Sequence, residues 1–137
     1  MPVVDEFYII AESGLCYYSK SRRKEIDQTY FSALLSALNT LSEEIASKGI
    51  DSLVLQNEKF TISKLGHLMF IVRTGPKTKD TEIQKELAEM KQIFLQFFSP
   101  SELEANWDGD LNIFRVLDKE YDRFFLDAVK NRMGSLF

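Results

Sequence analysis

The chain has a single cysteine, Cys16, among its 137 residues. An intramolecular disulfide is therefore impossible, and the composition fits a reducing, cytoplasmic setting. Histidine is equally scarce: His67 stands alone, so no cluster of histidines can hold a metal. The six glycines are scattered. None falls in G-x-x-x-x-G-K-[ST] or G-x-G-x-x-G spacing, so no phosphate cradle is legible and the chain is not itself a P-loop GTPase. H-E-x-x-H and C-x-x-C are also missing. There is no excess of positive charge, since the formal net charge is −4. A general nucleic-acid binder draws most of its affinity from basic groups on phosphates, so that class is not expected. Apolar runs are short. Leu68–Val72 is typical, far below the roughly 20 residues of a membrane-spanning helix. The opening MPVVDEFYIIAESG has no basic region ahead of a long apolar core, so no signal peptide is expected. Neither a CaaX box nor Gly at position 2 marks a lipid anchor.

What is present is ample material for a core. Hydrophobic residues make up 45% of the chain, and eleven are phenylalanine. The length suits one domain spanning 1–137. Val3–Ala11 is apolar on consecutive positions around Phe7, Tyr8, Ile9 and Ile10, as a strand buried on both faces requires. Glu12-Ser13-Gly14 reads as a turn, and Leu15–Ser19 as the partner strand. From Asp27, a suitable N-cap, to Lys48 the period is helical. Phe31, Leu34, Leu38, Leu41 and Ile45 share a face, and Gly49 ends the run. Leu53–Gln56, Lys59–Lys64 and Gly66–Thr74 read as three strands joined by tight turns. Thr81–Phe98 is helical again, with Ile83, Leu87, Met90, Phe94 and Phe97 inward and a capping box from Thr81 to Gln84. Ser99-Pro100-Ser101-Glu102 opens a short helical turn. Asp110 is placed to cap a last helix over Leu111–Met133, with Phe114, Leu117, Tyr121, Phe124, Phe125 and Ala128 inward.

The reading is an α/β (α+β) domain of order β-β-α-β-β-β-α-α. A five-stranded antiparallel sheet lies between helices, with the first and fifth strands central. This order, the opening FYIIAESGLCYYSKS, the helix DQTYFSALLSALNTLSEEIASKG and the triplet SLVLQNEKFTISKLGHLMFIVRT resemble the longin fold. That fold belongs to the profilin-like group that also holds the roadblock domains. The phrase around Gly14-Leu15 and Tyr18-Ser19-Lys20-Ser21 is similar to longin-like proteins of archaea related to eukaryotes. The resemblance implies a protein-binding adaptor, not an enzyme: a homo- or heterodimer regulating a small GTPase or serving a vesicle-trafficking complex. Its partner would be a small GTPase or another longin or roadblock subunit. It implies no cofactor.

Several constellations suggest chemistry or binding. Cys16 with His67 would make a nucleophile–base pair only if their strands met; a buried Cys among aromatics usually acts as a small hydrophobe. Asn106, Asp108, Asp110 and Asn112 alternate like a calcium loop. Leu111 and Leu117 occupy the positions where that loop needs Gly and Glu, so a capped polar loop is preferred. Arg22, Arg23 and Lys24 form the clearest basic cluster. It fits an acidic partner, a peripheral contact with an anionic membrane, or a plain solvated loop, and Lys77 and Lys79 extend it if they share its end of the sheet. On the first long helix, Tyr30, Ala33, Ala37, Thr40 and Glu44 lie within about 80° of one another beside the core face. This mostly small stripe is the candidate dimer or partner contact, or else it merely flanks the core. Tyr17 and Tyr18 sit on an expected edge strand, where one of them facing outward would serve sheet-to-sheet pairing. The alternative function is a small-molecule-sensing domain of PAS or GAF type, which an apolar pocket with convergent polar groups would favour.

Overall fold

A computed structural model of the chain describes residues 3–12, 15–21, 50–55 and 58–134. The helix expected over Asp27–Lys48 lies outside the described residues, and with it Arg22, Arg23, Lys24, Tyr30, Ala33, Ala37 and Thr40.

Five strands form one antiparallel sheet: β1 (Glu6–Ala11), β2 (Cys16–Ser21), β3 (Ile50–Leu55), β4 (Glu58–Leu65) and β5 (Leu68–Thr74). Their spatial order is β2-β1-β5-β4-β3, so β2 and β3 are the edges. The continuously apolar sequences of β1 and β5 explain their central place. Phe7, Ile9 and Ala11 face one side and Tyr8 and Ile10 the other, and all five are buried. Two-sided burial needs cover on both faces, which only interior strands receive.

Three α-helices and a 3-10 helix follow the sheet. Helix α1 (Asp80–Leu95) buries Ile83, Leu87, Met90 and Phe94 at spacings of four, three and four. Helix α2 (Pro100–Asn106) is short and buries Leu103. A 3-10 helix (Leu111–Val116) buries Phe114 and leads directly into α3 (Leu117–Gly134). These pack on the face carrying Phe7, Ile9, Leu68, Phe70 and Val72. Polar ties fix them there. Tyr121 of α3 donates to the Met90 carbonyl of α1 at 2.9 Å. Lys91 of α1 reaches the Ser63 hydroxyl and the Lys64 carbonyl on β4. On the opposite face Tyr8, Ile10, Phe60, Ile62 and Ile71 are all fully buried.

Three expectations change. Helix α1 starts at Asp80, and its N-cap Lys79 makes no side-chain cap, so the box from Thr81 does not form. It ends at Leu95, which leaves Phe97 outside the helix and 40% exposed instead of inward. The last helix begins as a tighter 3-10 turn. Asp110 does cap it, accepting from the Asn112 N–H at 2.9 Å.

The β4–β5 turn holds Gly66 at φ 63. A Cβ there would lie 3.1 Å from the Pro100 Cβ. The glycine thus provides both the left-handed turn and the space in which α2 meets the hairpin. Gly66→Ala is expected to cost about 1–2 kcal/mol for the backbone alone, and more for the contact. Gly109→Ala at φ 91, with nothing within 4 Å of its Cβ, bears only the backbone cost. Urea midpoints showing the two substitutions equal would refute a packing role for Gly66.

Glu86 of α1 anchors the entry to β1. Its carboxylate accepts from the Val3 N–H at 2.8 and 3.0 Å and from the Val4 N–H at 3.2 Å. Burial nevertheless pushes its pKa above the ordinary glutamate value, the two N–H bonds opposing that rise. A carboxyl raised in this way holds its proton more tightly folded than unfolded. Its ionisation therefore lowers stability as pH climbs through the folded value, and the contribution recovers on acidification. The group is only partly buried, so the effect is below about 1 kcal/mol. Glu86→Gln is expected to flatten the urea midpoint between about pH 4 and about pH 7 relative to wild type. An unchanged slope would exclude Glu86 as its source.

Candidate functional site

The two tyrosines of the edge strand do not face solvent. β1 and β2 pair Ile9 with Tyr18 but Ile10 with Cys16, which leaves Tyr17 as the extra residue of a bulge. A bulge breaks strict alternation and turns neighbouring side chains toward one face. Tyr17 stacks on Phe114 at 4.9 Å and 15° and meets Trp107 at 4.6 Å. Tyr18 packs on Phe7 and Tyr121 and donates to Asp118, while the Arg115 guanidinium covers its ring at 5.2 Å. Tyr18 is 2% exposed, so the outward partner contact expected of it is corrected: it anchors the start of α3 to the sheet. Burial and the neighbouring Asp118 together raise its phenol pKa.

The polar constellations resolve into structural roles. The Cys16 thiol bonds the Tyr18 carbonyl at 3.3 Å, and burial pushes its pKa up, opposite to the shift that activates a nucleophile. His67 lies in the β4–β5 turn, with Nε2 3.5 Å from the Tyr17 hydroxyl and Nδ1 3.8 Å from the Glu104 carboxylate. Asp108 accepts from the Asp110 N–H, Asp110 from the Asn112 N–H, and Asn106 donates to Glu102. The alternating acids are thus engaged as caps. Among the described residues no group of three or more His, Cys, Asp or Glu is placed to hold a metal. No described helix is long and apolar enough to cross a membrane.

Lys77 and Lys79 are exposed just beyond β5. Glu6 pairs with Ser21 on one side and Arg73 on the other. The chain therefore leaves β2 at the same end of the sheet as these lysines, two strand spacings away, about 10 Å.

The structure also assembles a groove that the sequence reading passed over. It is open, about 440 Å³ in volume, and runs between the end of α1, helix α2 and the 3-10 helix. Phe97, Phe98, Leu103, Trp107 and Ile113 supply its apolar surface, with Glu102 and Asp108 at the rim. A ladder of rings makes the base firm: Phe94 to Phe98 at 5.3 Å, Phe98 to Phe114 at 5.0 Å, and Phe114 to Trp107 at 5.7 Å. Trp107 is fixed by its indole N–H, which donates to the Asp110 carbonyl at 3.1 Å. The sequence did carry one signal: no Lys or Arg occurs between Lys91 and Arg115, while Glu102, Glu104, Asp108 and Asp110 do.

No protein-family model matches this chain, and no curated protein matches it. Among solved structures, MglC from Myxococcus xanthus is similar over 59% of this chain and 75% of its own, at 9% identity and a TM-score of 0.47. MglB from Myxococcus xanthus is similar over 68% of this chain and 85% of its own, at 13% identity and a TM-score of 0.48.

Proposed function

We propose that this chain is a longin-type protein-binding module that acts in a small-GTPase pathway as a homo- or heterodimer. The observation that carries the reading is the strand order β2-β1-β5-β4-β3, with two-sided apolar strands at the centre. Central places for the first and fifth strands are what their apolar sequences lead to, in an element order that resembles the longin fold. Edge strand β3 adds support, since Val54 is 61% exposed on it. In this reading the contact is made by the stripe Tyr30, Ala33, Ala37 and Thr40, whose small residues permit close approach. The reading assigns Arg22, Arg23 and Lys24, next in sequence after β2, to a positive face shared with Lys77 and Lys79, for an acidic partner or a peripheral membrane contact.

A tagged-protein pull-down from source-cell lysate, with GDP or a non-hydrolysable GTP analogue added, tests the proposal. Nucleotide-dependent capture of a small GTPase, or of a second longin or roadblock chain, is the expected result. A profile lacking both returns the function to small-molecule sensing. Ala37→Arg is expected to abolish association while leaving the circular dichroism spectrum unchanged. Full retention of the complex in that variant removes the stripe from the contact.

A further inference from the structure

We infer that the groove between the end of α1, helix α2 and the 3-10 helix is a docking site for a basic amphipathic protein segment: apolar anchors flanked by Lys or Arg. Two observations combine. The first is apolar exposure. Phe97 (40%), just after α1, and Ile113 (37%), on the 3-10 helix, both line the groove. Leu95 at the end of α1 and Leu111 and Val116 on the 3-10 helix are also exposed. Isolated exposed apolar residues are ordinary on a protein surface, but two sharing a groove over a rigid aromatic base provide pockets for anchors. The second is charge. Every charged residue lining the groove is an acid, and the chain contributes no cation from residue 92 to residue 114.

That rim decides among occupants. An anionic membrane surface and a nucleic acid would both meet like charge. A second copy docking through the same face would bring Glu102 and Asp108 against themselves, because a two-fold contact sets each patch on its own image. A segment with basic flanks gains from the rim what these lose, and its anchors cover Phe97 and Ile113. The inference does not depend on which partner the first long helix engages.

Trp107 is the only tryptophan in the chain and lines the groove, so its emission reports occupancy directly. Selection of a randomised peptide library displayed on phage, against the full chain, reads the chemistry of the occupant. Enrichment of Leu, Ile, Phe or Met anchors flanked by Lys or Arg is expected. A synthetic peptide of that consensus then shifts Trp107 emission saturably, and less so at high salt. Ile113→Asp and Phe97→Glu alter exposed side chains, so the circular dichroism spectrum and thermal midpoint stay at wild-type values, while peptide affinity falls by about tenfold or more. Glu102→Lys combined with Asp108→Lys weakens the peptide and removes the salt dependence. No enrichment, enrichment without basic flanks, or equal binding by Ile113→Asp overturns the inference. It is equally overturned if phosphatidylserine vesicles shift Trp107 emission in an Ile113-dependent way, which assigns the face to lipid. A dimer that Ile113→Asp dissociates assigns it to a second copy.

Discussion

Phe114→Ala is expected to remove about 3–5 kcal/mol of unfolding free energy, the usual cost of truncating a fully buried phenylalanine. Phe114 is 0% exposed and touches three rings belonging to three different elements: Tyr17 on β2, Phe98 after α1, and Trp107 after α2. Its ring therefore holds the 3-10 helix, the end of α1 and the edge strand together. Removing it leaves a cavity that these elements cannot close without moving relative to one another. The loss is a large share of the roughly 5–15 kcal/mol that a domain possesses. Urea unfolding followed by Trp107 emission and circular dichroism measures it. The native emission of the variant is also expected to move to the red, because Trp107 loses its packed neighbour. Ile113→Ala, one residue away on the exposed side of the same helix, is the control and stays within about 0.5 kcal/mol of wild type. A Phe114→Ala midpoint equal to that of the control would mean the aromatic ladder does not hold these elements together.

The contrast between those adjacent residues shows what the sequence discloses. Phe114, Leu117, Tyr121 and Phe125 were legible as inward because they repeat at three and four, and a helical period survives even where the first turn is wound as 3-10. The two-sided burial of β1 and β5 was legible for a similar reason: FYIIA and LMFIV leave no polar face to expose. Tyr17 and Tyr18 were misread because a period of two assumes unbroken alternation. The bulge opposite Ile9 and Ile10 carries no residue signature, and only pairing with β1 reveals it. Phe97 was misread because α1 stops at Leu95, one residue after its last inward residue, Phe94, with no glycine at that point to announce the end. The groove was invisible for a deeper reason. Its walls come from three elements, and no periodicity within one element reports what another brings beside it. Only the long stretch without a basic residue showed through.

Arg73→Ala is the second large effect expected, again about 3–5 kcal/mol, but its origin is electrostatic. Arg73 on β5 is 2% exposed and faces Glu6 on β1, itself 1% exposed, at 3.1 Å; Glu58 on β4 lies 3.3 Å from the other guanidinium nitrogen. The register dictates this meeting, since Glu6 pairs directly with Arg73 across the central strands. Tyr8, two residues along β1 on the same face, donates its hydroxyl to the second Glu6 oxygen. Truncating Arg73 strips the Glu6 carboxylate of a buried countercharge while leaving the desolvation cost in place. Arg73→Lys recovers only part of the loss, because an ammonium lacks the planar fork that spans two carboxylates. The decisive variant removes the three fully buried members and leaves Glu58, whose side chain is 23% exposed, to water. Glu6→Leu, Tyr8→Phe and Arg73→Met together fill the space with apolar atoms and leave none of these three polar groups stranded, so stability is expected to return to near the wild-type value. The single substitutions thus cost far more than their combination, a non-additivity that a shared network produces and independent sites do not. Urea midpoints in which the three changes simply add would show that Arg73 acts through packing alone, and that the ion pair between the central strands contributes nothing of its own.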